Sequence, residues 1–140
     1  MPHMGLLVQQ RDRLGGFKVQ ARTADQATRL QNQALVMERA GADFVLIEAV
    51  PAEVGAIVSK ALSIPAYGIG AGPMDGQLLV ASDVTGTYLP FKPKFAKKYV
   101  DGAALFRQAY TQFAAEVRSG AFPTAEHCYS MLPGEKEKLG

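Results

Sequence analysis

The sequence predicts an α/β fold built on a parallel sheet, and three observations carry that expectation. Short continuous apolar runs, of which "ADFVLIEAVP" is the clearest, have the character of strands buried in a parallel sheet. Other segments place apolar residues at three- and four-residue steps, the period of a helix packed on such a sheet. The two kinds alternate along the chain, and strand, helix, strand order requires parallel pairing.

The opening "MPHMGL" reads as the end of a strand that feeds a site, with His3 and Gly5 at its close. Leu14-Gly15-Gly16-Phe17 is a loop. Thr23 then starts a helix, with Gln26 at capping-box spacing. Ala27, Leu30, Ala34, Met37 and Ala40 form its apolar stripe, and Gly41 ends it. After the "ADFVLIEAVP" strand, Pro51 takes the first-turn position of a helix over "AEVGAIVSKAL". Ile64-Pro65 leads into a second strand, "AYGIGAG", whose end is rich in glycine. "GQLLVASD" reads as a third strand closing on Asp83. The proline-rich "YLPFKPKF" precedes a helix from Tyr99 to Ser119, with Phe106, Ala109, Tyr110, Phe113 and Val117 on one face and Gly120 as its cap. Counting the opening, there are about four strands, half of the eight in a (β/α)8 barrel. That count points to a half barrel or a small open sheet.

With 140 residues, 48% of them hydrophobic and 20% charged, the chain has the composition of one ordinary globular domain. A net charge of +2 gives no reason to expect nucleic acid or an anionic membrane as partner. Lys92, Lys94, Lys97 and Lys98 are the nearest approach to a basic patch and read as a solvated loop. The single cysteine, Cys128, excludes a disulfide within the chain, and the apolar runs are far shorter than a membrane helix needs. A soluble, cytoplasmic protein is expected.

Glu48 is the first candidate for chemistry, because it stands at the C-terminal end of an apolar strand, where barrel active sites lie. A carboxylate held among Val45, Leu46, Ile47 and Val50 would have its charged form disfavoured, which suits a general base. The competing reading is an acid paired with a neighbouring cation for structural reasons. His3, beside a strand end, has the donor chemistry to bind a substrate oxygen; alone it is more simply a residue without a role. "GIGAG" lacks the order of a dinucleotide-binding turn, and its glycines are better explained by close backbone packing than by a phosphate. No metal-ligand spacing and no nucleophile elbow occurs.

Taken in order, "HMGL", "GGFKVQAR", "VLIEAVPAEV", "ALSIPAYGIGAG", "DGQLLV", "KPKFAKKY" and "EVRSGAFPTAEH" resemble the ketopantoate hydroxymethyltransferase family from His3 to about His127. The resemblance implies a (β/α)8 barrel of about 250 residues, of which residues 1–125 are a C-terminal half and 126–140 a mobile tail. It implies that Mg²⁺ chelates 3-methyl-2-oxobutanoate while a glutamate removes the proton from its branched carbon. The enolate then attacks the one-carbon unit of 5,10-methylenetetrahydrofolate and gives 2-dehydropantoate, a step of pantothenate biosynthesis. The family's catalytic glutamate falls on Glu48 and its substrate-contacting histidine on His3. The metal ligands are expected in the half that precedes, with none in this chain, and a homo-oligomer is expected if the barrel is complete.

The sequence departs from the family pattern at several positions. Leu7-Val8 stands for Thr-Pro, Ala21 for a glycine, Ala49 for a cysteine and Ser82-Asp83 for His-Asp, and the turn after "GIGAG" is a residue shorter. These keep two other readings open. One is a Mg²⁺-dependent keto-acid enzyme of the isocitrate lyase and phosphoenolpyruvate mutase superfamily. The other is a non-catalytic half barrel that serves in assembly, since unpaired strand edges associate.

Overall fold

Four short strands organise the fold, which a computed structural model describes for residues 1–139. The chain divides into two compact units, one ending at Val100 and the other beginning at Asp101. In the first, β1 (His3–Gly5), β2 (Val45–Glu48), β3 (Ala66–Ile69) and β4 (Gly76–Gln77) form one sheet in the order β1-β2-β3-β4, and every pair is parallel. The expected α/β class and the four strands are both present.

Helix α1 (Ala24–Arg39) begins where Thr23 and Gln26 close a reciprocal capping box. The Gln26 N–H donates to Thr23 Oγ1 at 3.3 Å, and Gln26 Oε1 accepts from the Thr23 N–H at 3.3 Å. Gly41, at φ +91, turns the chain out of the helix toward β2. Helix α2 (Ala52–Ala61) starts where expected, with Pro51 as its cap rather than inside its first turn. The Pro51 carbonyl accepts from the N–H groups of Val54 and Gly55, both at 3.0 Å.

One face of the sheet carries the core. Met4, Val45, Ile47 and Ala66 pack there with Leu30 and Ala34 of α1 and Val54 and Val58 of α2. Ile47, Val45 and Val58 are fully buried, and each contributes about 1.5–3 kcal/mol by leaving water. Because side chains alternate along a strand, His3, Leu46, Glu48 and Tyr67 project from the other face, where all four are only partly buried.

The stretch "GQLLVASD" differs from expectation. Only Gly76 and Gln77 pair with β3, and the Leu78 N–H adds one bond to the Gly68 carbonyl at 2.9 Å. Helix α3 (Ala81–Thr85) follows, and Asp83 lies in its first turn instead of ending a strand. The physical reason is that Leu78 and Val80 find no buried surface to cover and remain exposed. The Val80 carbonyl instead accepts from the N–H groups of Asp83 and Val84, at 2.9 and 3.1 Å.

In the second unit, helix α4 (Gly102–Ser119) is shorter at its start than expected. Asp101 caps it by accepting from the Ala104 N–H at 3.2 Å, and Gly120 ends it at φ +74. Tyr99 lies outside the helix, its N–H bonded to the Val84 carbonyl at 2.9 Å. Phe106, Tyr110, Phe113 and Val117 of the expected apolar face are all exposed. Short 3-10 turns follow at Ala125–His127 and Lys136–Leu139; Gly140, the last residue of the expected tail, lies outside the described residues.

Candidate active site

The register of β1 on β2 brings the two sequence-derived candidates together. Gly5 is level with Glu48 and His3 with Leu46, so the three side-chain positions share one face. His3 Nε2 comes to 2.9 Å from Glu48 Oε2, with the side chains 33% and 14% exposed. Among the described residues Nε2 makes no hydrogen bond of good geometry, although the atom is buried. The approach therefore lies off the line of a well-formed hydrogen bond.

Gly5 permits this approach. It sits at φ +81, and a Cβ there would overlap the Glu48 carbonyl oxygen and press on Val50. The Leu6 N–H then donates to the same Glu48 carbonyl at 2.9 Å, fixing the end of β1 on the end of β2. On the far side of Glu48, Ala49 is held at φ +48, a conformation costly for a residue with a side chain. It is pinned there because its N–H donates to the Ile69 carbonyl at 2.9 Å and its own carbonyl accepts from the Gln20 N–H at 2.8 Å. Ala21 also has positive φ, +55.

The surroundings of Glu48 differ from the apolar cage expected. Val45 and Ile47 are buried on the opposite face, against the helices, so only Leu46 of the strand shares the carboxylate's side. The partner found beside it is His3 rather than a lysine or arginine.

The glycines of "GIGAG" serve close approach, as expected. The Phe95 ring fills the space of a Cβ on Gly70, Ala52 of α2 that of a Cβ on Gly72, and Met74 that of a Cβ on Gly68. Phe95 and its neighbour Phe91 were not among the sequence candidates. The signal for them was faint: aromatic residues flanking Lys92-Pro93-Lys94 in a stretch that two prolines keep from being helical.

A cleft of about 440 Å³ runs along the outer edge of β1, lined by His3, Gly5, Gln20, Gln26, Arg29 and Gln33 among others. The Pro2 carbonyl and the Leu6 N–H point to β2, so alternation turns the main-chain groups of His3 and Gly5 toward this edge. Cys128 is remote in sequence and exposed, its thiol 3.4 Å from the Thr124 carbonyl.

Mg²⁺ takes six hard oxygen donors in near-octahedral geometry. One carboxylate beside an imidazole does not supply that set, and among the described residues no group of three or more His, Cys, Asp or Glu is arranged to hold a metal. The residues of this site do not fit a magnesium ion by themselves.

The family model described as Ketopantoate hydroxymethyltransferase matches residues 1–125. A protein of Alkaliphilus metalliredigens (strain QYMF) named 3-methyl-2-oxobutanoate hydroxymethyltransferase is 46% identical over 137 residues, covering 98% of this chain and 49% of that protein. Proteins of the same name from Trichlorobacter lovleyi and Francisella tularensis subsp. tularensis (strain SCHU S4) are 46% and 43% identical, over 93% and 92% of the chain and 49% of each relative. The chain spans about half the length of the curated relatives it matches.

Proposed function

Because the chain belongs to the ketopantoate hydroxymethyltransferase family, we propose that its sheet is the C-terminal half of a (β/α)8 barrel and that Glu48 and His3 serve hydroxymethyl transfer at the strand ends. The observation that supports this most is the 2.9 Å approach of His3 Nε2 to Glu48 Oε2 on the face away from the packed helices.

In this reading Glu48 takes the proton from the branched carbon of 3-methyl-2-oxobutanoate. Water opens the methylene bridge of 5,10-methylenetetrahydrofolate, breaking both of its carbon–nitrogen bonds and releasing tetrahydrofolate and a one-carbon unit at the oxidation level of formaldehyde. The carbanion, delocalised as an enolate, adds to that carbon, and the oxygen takes up the proton held by Glu48 to give the hydroxymethyl group of 2-dehydropantoate. His3 binds a substrate oxygen through its imidazole, a contact strengthened in a site from which water is excluded. Mg²⁺ is held by residues outside this chain, and no step here is assigned to it.

The same reading makes the protein a cytoplasmic enzyme acting on small molecules, and a homo-oligomer once the barrel is complete. Among the described residues no helix is long and apolar enough to cross a membrane. The test is a chimera in which this chain replaces the matching half of the Alkaliphilus metalliredigens relative. Glu48→Gln in the chimera should lower kcat by at least about a hundredfold while the Kd for 3-methyl-2-oxobutanoate changes little. A variant with undiminished kcat removes Glu48 from the chemistry.

A further inference from the structure

The loop formed by residues 7–19 leaves the sheet and returns to it at one strand end. Where it leaves, the Leu6 N–H donates to the Glu48 carbonyl at 2.9 Å; where it returns, the Gln20 N–H donates to the Ala49 carbonyl at 2.8 Å. Both ends are thus tied to the candidate base and the residue after it. Between them the main chain bonds to itself, the Leu14 N–H to the Gln10 carbonyl at 3.0 Å and the Gly16 N–H to the Arg11 carbonyl at 2.9 Å. Every residue from 7 to 20 is partly or largely exposed, and a Cβ added to Gly16, at φ +116, would meet no atom within 4 Å. A segment with local bonds and little packing opens at low free energy while the core stays closed.

One aromatic contact ties the middle of this loop to a distant part of the first unit. Phe17 stacks on Phe91, with ring centroids 6.3 Å apart and planes within 20°, and the Arg11 guanidinium lies 5.7 Å from the centre of the Phe17 ring. Phe17 and Phe91 are each 54% exposed, so the stack can part without opening the core. Phe91 belongs to the connection whose Phe95 ring seats on Gly70, and Gly70 directly follows Ile69, the register partner of Glu48. The stack therefore closes an arch with one foot at the end of β2 and the other at the end of β3. Glu48 stands at its base, little exposed on a face that α1 and α2 do not cover.

We propose that residues 7–19 are a lid over Glu48 and that the Phe17–Phe91 stack is its clasp, which makes Phe17 a positioning residue for the reaction. The inference rests on the hydroxymethyltransferase reading and gives the arch a task within it. That reading releases a one-carbon unit at the oxidation level of formaldehyde, small and uncharged, with little for a site to grip. The unit has to meet the enolate before it diffuses away. With the stack parted the mouth admits both substrates; with the stack formed it keeps the carbon until the enolate captures it.

The clasp is tested by hydrogen exchange on the 140-residue chain itself. Phe17→Ala and Phe91→Ala should each speed exchange of the Leu14 and Gly16 amides about two- to tenfold, the worth of one aromatic pair. The double variant should exchange no faster than either single one, and the amides of Val45–Glu48 should keep the parent's rates. Unchanged loop exchange, or effects that add in the double variant, overturns the clasp.

The lid's task is tested in the chimera supplied with 5,10-methylenetetrahydrofolate and 3-methyl-2-oxobutanoate, with enzyme-free breakdown subtracted. The parent should form tetrahydrofolate and 2-dehydropantoate in equal amounts. Phe17→Ala should form at least about twice as much tetrahydrofolate as 2-dehydropantoate, the difference appearing as free formaldehyde, and Phe17→Tyr should restore equality. Equal products from an active Phe17→Ala chimera, whatever its kcat, overturn the inference alone. A parent chimera that forms no 2-dehydropantoate overturns the hydroxymethyltransferase reading and the inference with it.

Discussion

Gly5 and Ala49 flank Glu48 in space and show how single residues set the site. At Gly5 a side chain is excluded twice, by φ +81 and by the Glu48 carbonyl oxygen. Left-handed backbone costs a residue with a Cβ roughly 1–2 kcal/mol, and overpacking adds about 1–3 kcal/mol. Gly5→Ala should therefore destabilise the chain by about 2–5 kcal/mol in urea unfolding; a loss below about 1 kcal/mol would mean that β1 moves off β2 easily. Ala49 presents the reverse substitution with a different balance. Ala49→Gly relieves about 1–2 kcal/mol of strain. It gives back about 0.5–1 kcal/mol in chain entropy and about 0.8 kcal/mol in the buried methyl group. The net change should lie within about 1 kcal/mol of zero. His3→Ala in the chimera should cost kcat/KM about 1–3 kcal/mol, the worth of a hydrogen bond to a charged group or its loss. An unchanged kcat/KM would remove His3 from the site.

Between elements, single carboxylates make the ties. Asp75 Oδ2 accepts from the Ala66 N–H at 2.9 Å and from Ser59 Oγ at 3.2 Å, joining the start of β3 to α2. Glu38 Oε1, in the last turn of α1, accepts from both the hydroxyl and the N–H of Ser63, at 2.5 and 2.7 Å. These bonds, the hydroxyl foremost, hold the Glu38 carboxyl below its ordinary range. A lowered folded pKa stabilises above the unfolded value, about 4.3, and the contribution is lost as pH falls through the folded value. Glu38→Gln should flatten the fall of the urea midpoint between about pH 5 and pH 3; an identical fall in both proteins would show that the Ser63 bonds add nothing.

At this scale much was legible in the sequence. The Thr23–Gln26 spacing gave the start of α1, and apolar runs closed by Glu48 and by glycine gave β2 and β3. The run "GQLLVASD" misled because apolar character marks burial only where another surface covers it, and Leu78 and Val80 have none. The meeting of His3 and Glu48 depends on register between segments far apart in the chain, which local patterns do not encode. The resemblance supplied both residues separately, and the sheet brought them side by side.

Within the first unit, helices α1 and α2 pack on one face of the sheet, whereas parallel sheets are ordinarily covered on both. The main-chain groups of His3 and Gly5 point to an open edge, and α4 exposes Phe106, Tyr110, Phe113 and Val117. Such edges and patches associate. The chain should show a concentration-dependent mass by sedimentation, and the matching first half of a relative should suppress it in favour of a defined complex. A monomer at every concentration, indifferent to that half, would contradict the half-barrel reading.

The central claim is that Glu48 removes a carbon-bound proton, and the most direct measurement isolates that step from folate. The chimera is placed in D₂O with 3-methyl-2-oxobutanoate and its metal, and loss of the branched-carbon proton signal is followed by NMR. Exchange by the parent chimera and none by Glu48→Gln, with substrate still bound, is the predicted result. Exchange by the variant at the parent's rate would contradict the account.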